Sequence, residues 1–183
     1  MATTTTISQV GEFPLISSIV RDLPMSQAVS LGPGDDGAVF QVDGSVVVST
    51  DVLVEEVHFR RRWSTATDVG RKAVAVNVSD IEAMGAVPVA LVVGFSAPGD
   101  LPASWAREFM AGMAAEAEQA GVSVVGGDTT AGPVISIAVT VIGQTAGMAP
   151  VRRDGAVPGD EVAVVGQLGL AAAGLVLLGR GFR

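Results

Sequence analysis

The sequence predicts a mixed α+β fold in which strands outnumber helices. Short apolar runs are more frequent than amphipathic stretches with helical spacing, and Asp43-Gly44 joins two of these runs as a two-residue hairpin turn. A doubly wound α/β sheet would need strands and helices in regular alternation, which the chain does not have. We therefore expect a mixed sheet flanked by helices.

Periodicity and turn residues predict the elements of the first half. Phe13, Ile16 and Val20 share one face of a short helix. A cluster of glycines and prolines after Ser30 excludes regular structure there. The predicted elements are a disordered tail over 1–10, a helix over 12–20, a loop over 31–37 and strands over 38–42 and 45–50, with 51–59 extending the strand region.

The second half contains longer elements. Gly85 and Pro88 end the first long helix, and Gly121 ends the second. The predicted elements are a helix over 67–83, a strand over 89–96, a helix over 101–119, strands over 122–125 and 134–142, a connector over 149–160, a strand over 162–165 and a helix from about 170. Residues 11–149 are thus expected to form one domain, and 150–183 a connector with the truncated start of a second α+β domain.

Composition excludes several classes of function. The chain has 183 residues, no cysteine and a formal net charge of −8. Disulfides and thiolate metal sites are therefore excluded, and the basic surface of a nucleic-acid-binding or membrane-surface protein is missing. The apolar stretch 162–178 is interrupted by Gln167 and glycines, which favours a buried strand and a helix over a membrane span. With no secretory signal visible, we expect a cytoplasmic protein.

Four aspartates lie at turns, at a strand end or inside an apolar helix, where a buried carboxylate is costly unless it is paired or bound to a metal. Taken singly, each is explained by turn formation or helix capping. If they converge, their hard oxygen ligands, together with the absence of cysteine, favour Mg²⁺ over zinc. The four are Asp36 in Gly34-Asp35-Asp36-Gly37, Asp51 after Ser49-Thr50, Asp80 in Asn77-Val78-Ser79-Asp80 and Asp128 after Gly126-Gly127.

The glycine pair Gly126-Gly127 follows an apolar strand and precedes Asp128. Backbone without Cβ atoms can approach a ligand and donate N–H groups to phosphate, although a plain turn is the alternative. The stretch 32–37 has the spacing of a dinucleotide-binding fingerprint, but a strand follows it where a helix is required. A Walker phosphate-binding pattern is absent. Any phosphate site in this acidic chain would need bridging cations.

The order of these motifs resembles that of the thiamine-monophosphate kinase family, from about Gly11 to the end of the chain. The aspartate motifs are also similar to those of aminoimidazole ribonucleotide synthetases and selenophosphate synthetases. The motifs Gly11-Glu12-Phe13 and His58-Phe59 resemble those of the kinases in particular. The motifs are Gly11-Glu12-Phe13, Gly34-Asp35-Asp36, Ser49-Thr50-Asp51, His58-Phe59, Ala75-Val76-Asn77-Val78-Ser79-Asp80, Ala83-Met84-Gly85-Ala86, Gly126-Gly127-Asp128-Thr129-Thr130 and Gly155-Ala156-Val157-Pro158-Gly159-Asp160.

The resemblance implies roles for individual residues. Gly127 and Asp128 match an ATP-phosphate site, and His58 matches a substrate-contacting position. Arg153 matches an ATP-contacting arginine, with Arg152 as the alternative. The positions that bind several Mg²⁺ ions in the family are matched by Asp36, Ser49, Thr50, Asp51, Asp80 and Asp128.

The resemblance also implies an activity, the phosphorylation of thiamine monophosphate by ATP, with no protein nucleophile. The family forms homodimers in which N-terminal sheets pair into a barrel, and ATP lies between the N- and C-terminal domains. The chain is expected to end soon after its second domain begins, so the activity of this chain alone is left open. Two alternatives remain: another ATP-dependent synthetase of the same superfamily, and a non-catalytic dimerising and nucleotide-binding module.

Overall fold

A four-stranded sheet with the strand order β3-β6-β4-β5 organises the larger part of the molecule. The computed structural model describes residues 4–182, which divide into two units between Val151 and Arg152. In chain order the elements are α1 (Ile7–Val10), α2 (Glu12–Val20), β1 (Val29–Leu31), β2 (Val39–Phe40), β3 (Val46–Val54), α3 (Ala66–Ala83), β4 (Val87–Ala97), α4 (Ala103–Ala120), β5 (Ser123–Ala131), β6 (Ser136–Gln144) and α5 (Leu170–Gly179).

The sheet is mixed, as the sequence predicts. Strands β4 and β5 pair in parallel, while β6 pairs antiparallel with both β3 and β4. Helices α3 and α4 cover one face, where alternate residues of the central strand β6 are fully buried, including Ile137, Val139 and Val141. The α+β prediction, with helices flanking a mixed sheet, is therefore confirmed.

The opposite face of strand β3 is open to solvent. Side chains alternate between the two faces of a strand, and Val46, Val48 and Val52 on this face are 52%, 60% and 41% exposed. Strand β3 also lies at the edge of the sheet. The described part of the first unit thus leaves an apolar, β-branched surface uncovered.

Two glycines let helices α3 and α4 cross with their backbones in contact. A Cβ added to Gly70 of α3 would lie 2.1 Å from the carbonyl oxygen of Phe109. A Cβ added to Gly112 of α4 would lie 2.2 Å from that of Thr67. The close crossing sets the position of α3 and thereby of the polar residues that it carries towards β3.

The predicted hairpin around Asp43-Gly44 does not form. Strand β2 pairs with β1, a strand that the sequence did not predict, and β3 pairs with β6, which begins 90 residues later in the chain. The residues around the turn bond to the end of β6, because Ala146 N–H donates to the Asp43 carbonyl at 3.0 Å. The turn signal was correct, but the longer β6 provided a better partner than the two-residue β2.

Part of the predicted disordered tail has regular structure. Residues 7–10 form α1, the Ile7 amide donates to the Leu101 carbonyl at 2.9 Å, and Ala103 N–H donates to the Thr5 carbonyl at 3.0 Å. Residues 1–3 of the predicted tail lie outside the described residues.

The second unit contains one helix, α5, within its described residues 152–182. The strand expected over 162–165 does not form, and these residues have no regular secondary structure. The helix begins at Leu170, as predicted, and has ten residues. No helix of residues 4–182 is long and apolar enough to span a membrane.

Candidate functional site

A cavity of about 530 Å³ lies between helix α2, the loop 33–38, helix α4 and strand β5. Its wall is largely apolar, with Phe13, Ile16 and Phe109 among the lining residues. Its polar groups include Asp36 from the loop and Asp128 from the second half of β5, and both line the same space. The structure therefore brings together two of the four predicted aspartates, together with the Gly126-Gly127 pair.

Gly127 could not be replaced by a larger residue without moving strand β4. A Cβ at this position would lie 2.1 Å from the carbonyl oxygen of Val93. Gly127 is exposed and lines the cavity. Gly127 is therefore required by its packing against β4. At Gly126, which also lines the cavity, an added Cβ would meet nothing within 4 Å, so the backbone there is open to a ligand, as in phosphate-binding glycine loops.

Ser49 and Asp80 meet on the helix-facing side of strand β3. The Ser49 hydroxyl donates to Oδ2 of Asp80 at 2.7 Å. Asp51, two residues further along β3, has its backbone N–H bonded to Oδ1 of Asn77 at 3.1 Å. Because Asn77 and Asp80 are three residues apart on α3, they share one side of that helix. Ser49, Asp51 and Asp80 thus form a second polar group, with hydroxyl and carboxylate oxygens suited to Mg²⁺.

Thr50 points away from this group. Its Oγ1 donates to the Val139 carbonyl at 3.0 Å and lies 3.1 Å from Oγ1 of Thr140. Neighbouring side chains of a strand face opposite sides of the sheet, so the Thr50 side chain lies on the open face while Ser49 and Asp51 face α3. The Thr50 hydroxyl therefore does not face the same ligand space as the side chains of Ser49 and Asp51, and its predicted metal role stays a prediction.

The two acidic groups lie at opposite edges of the sheet. Asp51 pairs with Val139, Val139 with Val93, and Val93 with Gly127, so the four residues form one row across the strands. Three interstrand steps span about 14 Å. Asp51 and Asp80 do not line the cavity, and residues 4–182 contain no cluster of three carboxylate or imidazole groups suited to hold an ion. Convergence of the four aspartates around ions stays a prediction.

His58 lies in the tight turn that follows β3. Its backbone N–H donates to the Val54 carbonyl at 2.8 Å, and its ring Nδ1 accepts from the Val54 N–H at 3.0 Å. The Lys72 ammonium donates to the His58 carbonyl at 2.6 Å. The residue is exposed, so it is accessible for the predicted substrate contact.

Three arginines follow His58 and hold the turn by ion pairs. Arg60 and Arg62 bond to Glu56, and Arg61 bonds to Glu55. Hydrogen bonding from the Arg62 guanidinium, the largest cause, holds the pKa of Glu56 below its ordinary value. Glu56 has a left-handed backbone with φ of 64°. A non-glycine residue in this conformation needs support from its surroundings.

Arg152 and Arg153 belong to the second unit. Arg152 donates to Asp154 at 2.8 Å, and both its side chain and that of Asp154 are 70% exposed. Arg153 is also exposed. Neither arginine is distinguished by its geometry as the ATP contact, so that assignment stays a prediction.

Two residues of the site have no role in the sequence-based site prediction. Asn77 is 1% exposed and bonds to both β3 and its own helix. Lys72 reaches the turn that carries His58. A lone asparagine in an apolar helix was a usable signal for the first. The role of Lys72 depends on its contact with His58, fourteen residues away in the sequence, and no local pattern predicts that contact.

Comparison with known families identifies this domain. The family model described as "AIR synthase related protein, N-terminal domain" matches residues 34–145, more than half of the chain. The match includes the loop with Asp36, all of β3 to β6 and the glycine pair before Asp128. The chain belongs to this family.

Individual relatives narrow the similarity from this wide family to one group of enzymes. The chain is similar to the thiamine-monophosphate kinase of Mycobacterium tuberculosis (strain ATCC 25618 / H37Rv), with 50% identity over 173 residues that cover 94% of this chain and 52% of the relative. The predicted resemblance to the N-terminal half of these kinases is thereby confirmed. The chain spans about half the length of the curated relatives it matches.

Solved structures point to the same proteins. The thiamine-monophosphate kinase of Stenotrophomonas maltophilia K279a matches with a TM-score of 0.77 and 37% identity, covering 91% of this chain and 51% of that one. A structure described as "AaThiL complexed with AMPPCP and TMP" matches with a TM-score of 0.54 and 35% identity over 78% of this chain and 44% of that one.

Proposed function

We propose that this chain forms the ATP- and Mg²⁺-binding half of a thiamine-monophosphate kinase. The single observation that carries the proposal is the cavity in which Gly127 and Asp128 meet Asp36. The similar AaThiL structure with AMPPCP, an ATP analogue, supports a nucleotide as its ligand. In our proposal the phosphates lie at the glycine end of the cavity, and the base lies against its apolar wall.

The donor atoms of the site fit magnesium. They are carboxylate and hydroxyl oxygens, and the Ser49–Asp80 contact already pairs two of them. A Mg²⁺–oxygen bond is about 2.0–2.1 Å long, far shorter than the span of about 14 Å between the Asp51 and Gly127 positions. We therefore propose at least two Mg²⁺ positions, one held by Asp51 and Asp80 and one by Asp36 and Asp128.

The proposed reaction transfers the γ-phosphoryl group of ATP directly. An oxygen of the thiamine monophosphate phosphate bonds to the γ-phosphorus while the bond between that phosphorus and the β-phosphate bridging oxygen breaks, giving thiamine diphosphate and ADP. Bound Mg²⁺ supplies charge neutralisation between the two anions. The chain itself binds and orients: the Gly126-Gly127 backbone would receive the phosphates, and Asp36 and Asp128 would hold the Mg²⁺ that offsets their charge. Positioning and electrostatics dominate such transfers.

The protein is proposed to act as a homodimer through the open face of its sheet. Val46, Val48 and Val52 present an apolar row there, and the family resemblance implies that N-terminal sheets pair into a barrel across the dimer. A second copy of the same chain would present the same row, as an isologous two-fold interface requires.

The assay that tests the activity follows label from γ-³²P-ATP. The chain is incubated with Mg²⁺, labelled ATP and thiamine monophosphate, and the products are separated by chromatography. We expect label in thiamine diphosphate that depends on Mg²⁺. Binding of Mg·ATP without any transfer would identify a nucleotide-binding module. ADP formation that occurs only with a formamidine acceptor would identify a synthetase of the same superfamily.

A further inference from the structure

The turn between Val54 and Phe59 is fixed from both ends. Val54 and His58 exchange two hydrogen bonds, and the Glu56 N–H donates to the Phe59 carbonyl at 2.7 Å. The Phe59 ring is buried and stacks on Trp105 with a centroid separation of 6.4 Å. Glu56, which has the left-handed conformation, forms ion pairs with Arg60 and Arg62. The turn is therefore held well enough to define the orientation of the one ring that it exposes.

The hydrogen bond to the ring determines where its proton lies. Nδ1 of His58 accepts the Val54 N–H at 3.0 Å, and a ring nitrogen that accepts a hydrogen bond carries no proton. In a neutral imidazole the proton is then on Nε2, which becomes a donor. Nδ1 is occupied by the backbone, and Nε2–H is the group that remains for a ligand.

Lys72 anchors the same turn from helix α3. Its ammonium donates to the His58 carbonyl at 2.6 Å, a short charge-assisted bond. The contact holds the His58 backbone against α3, the helix that also carries Asp80. The position of the His58 ring is thereby connected to the proposed metal-binding residues through one rigid element.

We propose that His58 is a fixed hydrogen-bond donor, which presents Nε2–H to an oxygen acceptor of the substrate, and that Lys72 is the positioning residue that holds it there. This inference rests on the proposed function and on the substrate contact that the family resemblance implies for His58. It excludes a general-base role for the ring. A phosphate acceptor needs no such base, because its oxygen already carries negative charge at neutral pH.

The tautomer can be read directly, because His58 is the only histidine of the chain. Long-range ¹H–¹⁵N correlation of the ¹⁵N-labelled chain at pH 8.5 distinguishes a protonated ring nitrogen from an unprotonated one. We expect an unprotonated Nδ1 and a protonated Nε2. A protonated Nδ1, or an even mixture of both tautomers, would overturn the inference and leave the proposed function untouched.

Lys72 is tested by two substitutions. Lys72→Met removes the charged donor that bonds to the His58 carbonyl. We expect the hydrogen-exchange rate of the Val54 amide to rise about tenfold, and we expect the tautomer with the proton on Nδ1 to become populated. Lys72→Arg should restore the wild-type tautomer, because a guanidinium also donates to a carbonyl. Retention of wild-type tautomer and exchange in Lys72→Met would show that Lys72 does not position the ring.

The class of ligand group is tested by thiamine monophosphate binding in the presence of Mg²⁺ and AMPPCP. Glutamine carries an amide donor near the Nε2 position, whereas methionine is of similar length and has none. We expect His58→Gln to bind within about threefold of wild type and His58→Met to bind at least about tenfold more weakly. Equal affinities of His58→Met and wild type would contradict a donor role. No binding by the wild-type chain whose ring shows the expected tautomer would instead contradict the proposed substrate.

Discussion

Asn77 connects the two elements that carry Asp51 and Asp80. Its Oδ1 accepts the Asp51 N–H, and its Nδ2 donates to the Ala73 carbonyl at 2.8 Å. Strand β3 is an edge strand, so a side chain takes the place of the missing neighbour for this backbone donor. Both polar ends of a nearly fully buried amide are satisfied in this way.

The substitution Asn77→Ala should therefore destabilise the fold. It leaves the Asp51 N–H without its partner and removes the buried hydrogen bond from Asn77 Nδ2 to the Ala73 carbonyl. The two losses together should cost about 2–3 kcal/mol. Urea unfolding of the chain measures the loss. Ser79→Ala, which removes an exposed hydroxyl from the same helix, should change the free energy of unfolding by less than about 0.5 kcal/mol. Similar values for the two variants would show that Asn77 has no such role.

Sequence alone predicts the site only in part at this scale. The glycines beside Asp36 and Asp128 indicated both positions, and the two aspartates line one cavity. The glycine pair was expected to follow a strand over 122–125, but it lies inside β5, because this strand continues to Ala131 in its pairing with β4. The side-chain direction of Thr50 was not predicted, because one residue along a strand reverses the face. The roles of Lys72 and Asn77 depend on contacts with β3 and its turn, which form only when α3 docks.

Helix α3 begins with a reciprocal cap. The Asp68 N–H donates to the Thr65 hydroxyl at 3.2 Å, and the Thr65 N–H donates to Oδ2 of Asp68 at 3.0 Å. Hydrogen bonds from the Thr65 hydroxyl, the largest cause, and from its backbone N–H lower the pKa of Asp68 from its ordinary value of 3.8. The helix predicted over 67–83 therefore begins one residue earlier, at Ala66.

This cap predicts a pH dependence. Because the pKa of Asp68 is lower in the folded state than its ordinary value of 3.8, the ionised carboxylate stabilises the fold. This contribution to the free energy of unfolding is complete well above pH 3.8 and is lost as the pH falls through the lowered pKa of the folded state. Thr65→Ala should cost about 1 kcal/mol at pH 7, and the difference from wild type should shrink on acidification through this range. Thermal unfolding at several pH values measures it. A difference that is constant down to pH 2.5 would contradict the role assigned to the carboxylate.

The crossing of α3 and α4 makes a second prediction at the element scale. Gly70→Ala should gain about 1 kcal/mol of helix propensity but lose about 3 kcal/mol as the backbones separate. The net effect should be destabilising, because the added Cβ would meet the Phe109 carbonyl, which belongs to the backbone and cannot move aside as a flexible side chain can. Gly174→Ala in α5 meets nothing within 4 Å and should not destabilise the chain. A Gly70→Ala variant as stable as wild type by urea unfolding would rule out the close crossing.

Helices were easier to predict than strand partners, for a physical reason. Helix α4 ends at Gly121 in a left-handed conformation, a local signal that the sequence carries. Strand pairing is decided by contacts between distant segments. The partner of β3 is β6, and no property of Asp43-Gly44 distinguishes this pairing from a local hairpin.

The proposed dimer can be tested on the open face of β3. Val48→Lys places two charges in a two-fold interface and removes two buried valines, which should weaken association about 100-fold. Sedimentation velocity measures the change. Val157→Lys alters a similarly exposed valine of the second unit and should leave the dimer intact. A wild-type chain that sediments as a monomer at all accessible concentrations would contradict the proposed interface.

At the scale of the whole molecule, we propose that Asp128 and its cavity bind a nucleotide through Mg²⁺. Calorimetric titration with AMPPCP tests it most directly, with wild type, Asp128→Asn and the matched exposed variant Asp100→Asn, each with and without Mg²⁺. We predict binding by wild type and Asp100→Asn only when Mg²⁺ is present, and at least about tenfold weaker binding by Asp128→Asn. Equal binding by all three proteins, or binding that does not depend on Mg²⁺, would contradict a Mg²⁺-dependent nucleotide site at Asp128.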